Sequence, residues 1–381
     1  MNFELTADQK LIQETARDFA TSRLVPVASK HDEEELFPHH EVKGLAELGF
    51  LGMFVPEQYG GAGTDHVSYA IAIEEISRAC ASTGVILSVN NSLVCQPIMD
   101  FGTEDQKKVF LPKLAKGEWL GCFSLSEPGS GSDAAGLKCT AKADGDSFVL
   151  NGTKNFVTNG PESHVVLVFA RTDPEPHKGV TAFLVTKDMP GFSVGVIDKK
   201  LGIRASHSSE LVFQDVRVPK ANVLGKVGEG WKVAMKTLDG GRIGIAAQAC
   251  GITAASLFAG NKYAQERKQF GKPIADFQAI QWFLADMKVN LDASRMLTYR
   301  AAWEQDQGLN FTLAASTAKL FASNAAVQAA IKAVQIHGGA GYMKDYPVER
   351  FMRDAKVTEI YEGTSEIQRL IIAARVLKGA C

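Results

Sequence analysis

Gly129-Ser130-Gly131-Ser132-Asp133-Ala134-Ala135-Gly136-Leu137-Lys138-Cys139-Thr140-Ala141-Lys142-Ala143-Asp144-Gly145 is the stretch on which the fold turns. Its first six residues match G-x-G-x-x-A, the fingerprint of a dinucleotide-binding βαβ unit. That unit needs a helix straight after the glycines and an acidic residue ending the next strand. Residues 138–143 read instead as extended, and Asp144-Gly145 reads as a hairpin turn before residues 148–150. The fingerprint is a decoy, and the stretch belongs to a β region. What remains is a Gly/Ser loop with free N–H groups and hydroxyls. It suits a phosphate or a flavin edge, or serves as a plain inter-strand connection.

The β character extends in both directions. Residues 120–126, 165–170, 182–185 and 210–218 are short β-type runs, and no helical period appears from about 120 to 225. Upstream, Thr6 with Gln9 and Thr103 with Gln106 are capping boxes. Helical patterns lie between them at about 42–48, 68–78 and 85–99. Downstream, four long helical stretches are expected at about 229–265, 277–306, 312–337 and 364–377. Their connections are short and their faces rich in alanine, which favours an antiparallel bundle. The expected class is α+β, mainly α: a helical domain (1–118), a middle β domain (119–228) and a C-terminal helical bundle (229–381).

Composition narrows the function. The 381 residues are 45% hydrophobic and 22% charged, with a formal net charge of −2. No basic stripe marks a nucleic-acid binder. The start of the chain shows neither a secretory signal nor an Arg-rich transit segment, so the expected location is the cytoplasm, or the mitochondrial matrix for a processed chain. The uncharged run 243–261 approaches membrane-spanning length, but its Ala, Gly, Gln248 and Thr253 suit a helix buried in protein, and no membrane is expected. Cys80, Cys95, Cys122, Cys139, Cys250 and Cys381 lack paired spacing, which argues against disulfides and zinc. His39-His40 lacks metal-ligand spacing, so no metal site is expected.

Several motifs carry two readings. In Asn155-Phe156-Val157-Thr158-Asn159-Gly160, an aromatic and a hydroxyl two residues apart can face a flavin, or simply alternate on a half-buried strand. Arg267-Lys268-Gln269-Phe270-Gly271-Lys272 closes a helix with basic residues, as either a phosphate clamp or a dipole-complementing stop. Gln335-Ile336-His337-Gly338-Gly339 is a glycine cap or a close approach to a ligand. Asp239-Gly240-Gly241-Arg242 places two glycines inside a helix, at a cost of about 1 kcal/mol each, for close packing or a substrate. Near the C-terminus, Tyr361-Glu362-Gly363-Thr364 sets a carboxylate at a helix–loop–helix junction. Ser365 with Gln368 there reads as a capping box, and Glu362 as a surface acid or a catalytic base.

In order and spacing these motifs, with Ser126-Glu127-Pro128-Gly129-Ser130-Gly131-Ser132-Asp133, resemble an acyl-CoA dehydrogenase along essentially the whole chain. The resemblance implies a β-barrel-like middle domain and a C-terminal four-helix bundle, with FAD held between them. Phe123, Leu125, Ser126, Ser132, Phe156, Val157 and Thr158 would line the flavin. Arg267, Phe270, Gln278, Gln335, Gly338 and Gly339 would reach the FAD of a neighbouring subunit in a homotetramer, a dimer of dimers. Thr364 and Glu366 would contact the rest of the cofactor. Ser132, Asp239, Arg242 and Gly363 would contact the acyl-CoA, and Glu362 would be the base.

Two branches of that family carry the base just before the arginine matching Arg242, where this chain has Gly241. Asp239-Gly240-Gly241-Arg242-Ile243-Gly244 and Ser88-Val89-Asn90-Asn91-Ser92 most resemble short-chain, butyryl-CoA-type members. The implied activity is dehydrogenation of a short-chain acyl-CoA, with electrons passed to an electron-transferring flavoprotein. Alternatives are a branched or cyclic acyl-CoA substrate, an acyl-CoA oxidase, and an inactive acyl-CoA-binding scaffold.

Overall fold

The structure, a computed structural model, describes residues 4–379. Helix α1 (Ala7–Phe19) opens on the expected box, with Thr6 Oγ1 accepting from the Gln9 N–H and the Gln9 side chain accepting from the Thr6 N–H. α2 (Ala28–Glu34), α3 (His39–Glu47), α4 (His66–Ala79), α5 (Ala81–Ser88) and α6 (Gln96–Phe101) follow. α7 (Glu104–Ala115) opens on the second box, Thr103 with Gln106.

The helix expected over residues 85–99 is divided. Between α5 and α6, Val89–Cys95 widens into a π-helical segment, a geometry that often marks functional sites. Its two asparagines are fully buried and bonded. Asn90 donates to Leu51 O (2.8 Å) and accepts from the Gly121 N–H (3.0 Å). Asn91 accepts from the Met53 N–H (2.9 Å) and donates to Phe50 O (2.8 Å). The Asn90-Asn91 pair therefore ties the N-terminal helices to the first strand.

The strands are β1 (Gly121–Ser124), β2 (Thr140–Asp144), β3 (Ser147–Thr158), β4 (Val165–Arg171), β5 (Val180–Thr186), β6 (Phe192–Ile197), β7 (Ser208–Pro219) and β8 (Val223–Leu224). They form one sheet in the order β6-β7-β3-β2-β4-β5-β8, with β1 parallel to β4. The Asp144-Gly145 hairpin joins β2 to β3 as expected, with Asp144 opposite Ser147. No helix of βαβ type follows the glycines; residues Ala134–Gly136 make only a short 3₁₀ turn, so β2 starts at Thr140 rather than near 137. β6 and β8 were not foreseen. β6 is a largely exposed edge strand in which Phe192, Val194 and Val196 alternate with Ser193 and Gly195, and β8 has two residues.

Helices α8 (Gly230–Glu266), α9 (Gln278–Asp306), α10 (Thr312–His337), α11 (Val348–Val357) and α12 (Ser365–Val376) complete the chain. The four long ones begin and end within one residue of expectation. Between α8 and α9 a small hairpin pairs β9 (Lys268–Gln269) with β10 (Lys272–Pro273). Its turn residues Phe270 and Gly271 have φ of 53° and 80°, the left-handed pair a tight hairpin requires.

α10 packs along α8 and α9 and touches α11 and α12, while α4 crosses onto α8 and α9. Small residues make this close packing possible: Ala315, Ala318, Ala322, Ala326, Ala329 and Ala333 are buried along α10. The apolar stretch of α8 is 83% buried within the protein, as a core helix should be. A part-buried ion pair fastens α4 to α9, with Arg295 donating to the buried Glu74 Oε1 at 2.7 Å and 2.5 Å and Tyr299 to Oε2 at 3.1 Å.

Candidate active site

Glu362 stands in the turn between α11 and α12 with φ of 53°, a left-handed conformation uncommon for a residue with a side chain. Gly363 follows at 96°. The Ser365 N–H donates to Glu359 O (2.9 Å), closing the turn. The cap of α12 is one residue earlier than expected: Thr364 Oγ1 accepts from the Ile367 N–H (3.3 Å) and Ser365 is already helical. Gln368, expected to complete a box with Ser365, turns back instead, and its Nε2 donates to Gly363 O (2.9 Å) and Glu362 O (3.3 Å).

The Glu362 carboxylate lies against α8 where a side chain is missing. A Cβ on Gly241 would stand 2.1 Å from Glu362 Oε2 and 2.7 Å from Leu93 Cδ2. The cost of a glycine inside α8 thus has a local cause: the helix surface is cut away to admit the acid. Oε2 is buried and has no hydrogen-bond partner. Burial raises the pKa of Glu362 to about 7, opposed by the positive charges of Lys319 and Arg242. A buried carboxylate with an unengaged oxygen and a pKa near neutrality can accept a proton.

One turn along α8, a Cβ on Gly244 would meet Ser88 Oγ at 2.3 Å and Tyr69 OH at 2.4 Å. Those two hydroxyls are 3.0 Å apart, and Tyr69 is buried. In the other direction a cleft of about 360 Å³ is lined by Met235, Asp239, Arg242, Thr312, Arg375 and Lys378. Asp239 pairs with Arg242 and accepts from Thr312 Oγ1 (2.6 Å). Along α8 the order is therefore an open cleft with basic residues, then the Glu362 carboxylate, then a closed end at Tyr69 and Ser88. Gly363 adjoins the carboxylate, whereas Ser132 is exposed on the Gly/Ser loop.

That loop is held from beneath. Glu127 accepts from the Lys138 and Cys139 N–H groups (2.6 and 2.9 Å) and pairs with the fully buried Lys154 (2.9 Å), which also donates to Leu125 O (3.0 Å). Ser126 O accepts from the Asn155 N–H at 2.9 Å, which joins the loop to the end of β3. Here strand alternation fails. The β3–β7 register shifts between Lys154 and Val157, and Phe156 has φ of 58°. The bulge leaves the Phe156 ring 72% exposed while Leu125 and Val157 stay buried and Phe123, Ser126 and Thr158 half-buried. Gly129 and Gly131 have nothing near the Cβ direction. An exposed aromatic beside open backbone, over a buried apolar floor, suits the face and edge of a flat polar ring system.

The second set of expected cofactor residues lies at one end of the helices. Tyr263 near the end of α8 stacks on His337 near the end of α10, with ring centroids 4.2 Å apart. Arg267 and Phe270, just past α8, therefore lie at the same end of the helices as Gln335, Gly338 and Gly339. Phe270 is 92% exposed, and neither glycine has an atom within 4 Å of its Cβ direction. Gln278 and Arg267 are exposed as well, as is Glu366 on α12.

Family models for the N-terminal, middle and C-terminal domains of acyl-CoA dehydrogenase match residues 6–118, 122–216 and 228–377. The chain belongs to the acyl-CoA dehydrogenase family. It is 52% identical over 376 residues to the mitochondrial short-chain specific acyl-CoA dehydrogenase of Mus musculus, covering 98% of this chain and 91% of the relative. It is 48% identical over 379 residues to the short-chain specific acyl-CoA dehydrogenase of Clostridium acetobutylicum, covering 99% and 100%. The butyryl-CoA dehydrogenase structure from Megasphaera elsdenii superposes with a TM-score of 0.98 at 44% identity, covering 99% and 100%.

The site of this acyl-CoA dehydrogenase contains residues that motif reading overlooked. Lys319 is fully buried, and its Nζ donates to Gly363 O at 2.7 Å. The signal was present, since a lone lysine interrupts the alanine face of α10 at Ala315, Ala318 and Ala322. Tyr361 bonds Gln248, which in turn donates to Ala81 O (2.9 Å) and anchors the turn to α8 and α5. Tyr69 sits in an ordinary apolar helix pattern, and nothing local marks it as part of the site.

Proposed function

We propose that this protein is an FAD-dependent short-chain acyl-CoA dehydrogenase that converts its substrate to the trans-2-enoyl-CoA and passes electrons to an electron-transferring flavoprotein. The observation that carries the reading is the unengaged Glu362 carboxylate in the space left by Gly241, between an open cleft with basic residues and the Tyr69–Ser88 end.

In this reading the CoA portion enters past Arg375 and Lys378. The acyl group extends along α8 beyond Glu362, and Tyr69 leaves about one helical turn for it, the length of a few methylenes. Short-chain use in the named relatives agrees with that limit. Glu362 takes the α-proton onto its free oxygen. Its raised pKa brings its strength as a base toward the working pH, and Lys319 and Arg242 keep the carboxylate form accessible. The Glu362 N–H is the donor assigned to the thioester carbonyl by the family resemblance. FAD, held by Phe123, Leu125, Ser126, Ser132, Phe156, Val157, Thr158, Thr364 and Glu366, supplies the hydride acceptor. Asp239, Arg242, Ser132 and Gly363 are assigned to the acyl-CoA.

The same reading takes residues 1–118, 119–228 and 229–381 as the domains, with a barrel-like middle and a four-helix C-terminal bundle. Arg267, Phe270, Gln278, Gln335, Gly338 and Gly339 are assigned to a neighbour's FAD in a homotetramer. A second observation favours assembly: Trp282, Val289, Met296 and Trp303 recur every seven residues on α9 and are 61%, 67%, 46% and 52% exposed. Such an apolar stripe on a helix suits another copy.

Anaerobic bleaching of the bound flavin by linear, branched and cyclic acyl-CoAs tests the activity. Butyryl-CoA is expected to bleach it fastest, and Glu362→Gln to bind flavin and ligand yet lose bleaching by several orders of magnitude. A protein that cannot be loaded with FAD, or undiminished bleaching by Glu362→Gln, would overturn the assignment. Rapid aerobic peroxide formation would favour an oxidase instead.

A further inference from the structure

Lys319 is a fully buried cation in the middle of an alanine-rich helix face, and closing the α10 core does not require its charge. Burying an ammonium is costly unless it is paired and hydrogen-bonded. Its bond partner here is a backbone carbonyl, Gly363 O at 2.7 Å, one residue past the base. Gln368 donates to the same oxygen and to Glu362 O, so two side chains from different helices grip the turn directly after Glu362, the residue with the left-handed backbone.

We propose that Lys319 is a positioning residue for the base: it ties the Glu362–Gly363 turn to α10 and sets a positive charge facing the carboxylate. The inference rests on Glu362 being the base. The groups facing this pair are Arg242 on α8, Tyr69 on α4, Glu359 and Tyr361 in the turn, the tyrosine kept neutral by its burial, and Glu366 on α12. Arg242 is already paired with Asp239, and Tyr69 is neutral in the working range, since burial raises its pKa. Lys319 is therefore the cation not already committed to a carboxylate of its own. The two groups influence each other reciprocally. Burial lowers the pKa of Lys319 to about 8 while Glu362 raises it, and Lys319 in turn lowers that of Glu362.

The test uses Lys319→Met, which removes charge and donor, beside Lys319→Arg, which keeps both. In Lys319→Met the acidic limb of the flavin-bleaching rate is expected to move up by about one pH unit. That is a roughly tenfold loss below the limb, much of it recovered at high pH, and Lys319→Arg should restore the limb. A uniform loss at every pH with an unmoved limb would make Lys319 merely structural and overturn the proposal. The reciprocal measurement leaves Lys319 in place and needs no turnover. NMR titration of ε-¹³C-labelled lysines in wild type and Glu362→Gln should show one lysine titrating near 8 in the wild type and lower in the variant. No displaced lysine would also overturn it. Glu362→Gln that still turns over would refute the assignment of the base, a result separable from either lysine outcome.

Discussion

At the scale of the residue, the site spends stability on chemistry. Glu362 combines a left-handed backbone, a buried oxygen without a partner and a pKa raised from 4.5 to about 7. An acid whose folded pKa lies above its unfolded value stabilises the fold fully below the unfolded pKa, and that contribution is lost as pH rises through the folded one. Ionising Glu362 should therefore weaken the fold between about pH 4.5 and 7. Glu362→Gln cannot ionise and escapes that loss. Its melting temperature is expected to match wild type near pH 4 and to exceed it by a few degrees at pH 8, measured by thermal scans across the range. A variant equally or less stable at pH 8 would remove the strain interpretation.

At the scale of the element, α8 organises the site through what it omits. Gly241 admits the carboxylate and Gly244 admits Tyr69 and Ser88, so one helix face sets both the place of the Glu362 carboxylate and the depth beyond it. Tyr69→Ala should open that closed end. The ratio of kcat/KM for hexanoyl-CoA over butyryl-CoA is expected to rise about tenfold or more, since each methylene is worth about 1–3 kcal/mol in a pocket. A stability loss of about 3 kcal/mol should accompany it. An unchanged chain-length profile would place the end of the acyl site elsewhere.

The legibility of these elements followed local chemistry. Thr6 and Thr103 capped where their boxes stood, and the long helices ended where glycine, proline or polarity interrupted the period. The turn at Asp144-Gly145 separated the β region from a nucleotide fold. Features set by tertiary contact were not legible. The π-helical segment at Val89–Cys95 answers to the backbone groups that Asn90 and Asn91 meet across the interface. The bulge at Phe156 interrupts a strand pattern that looks regular. The cap of α12 went to Thr364 because Gln368 is drawn back to the Glu362 and Gly363 carbonyls. Tyr69 looks like any core aromatic until α8 lies against it.

At the scale of the whole molecule, Glu362, the proposed base, is held by parts of the chain far apart in sequence. Lys319 and Gln368 grip its turn, Gln248 anchors the preceding tyrosine, and the Glu74–Arg295 pair fastens α4, which carries Tyr69, to α9. Loosening one helix should thus be felt at the carboxylate. The outer face of α9 carries the remaining consequence. Trp282, Val289, Met296 and Trp303 leave an apolar ridge that copies of the chain can cover, and association of folded copies adds its free energy to folding. Dilution then becomes a denaturing variable. The melting temperature should fall as protein is diluted toward the dissociation constant of the assembly and level off below it, and Val289→Lys with Met296→Lys should abolish that dependence and leave a lower, concentration-independent value. Sedimentation equilibrium beside thermal scans over a hundredfold range of concentration would read it. A monomer at every concentration, with a melting temperature indifferent to dilution, would mean that no second copy covers the ridge and each copy is thermodynamically complete alone.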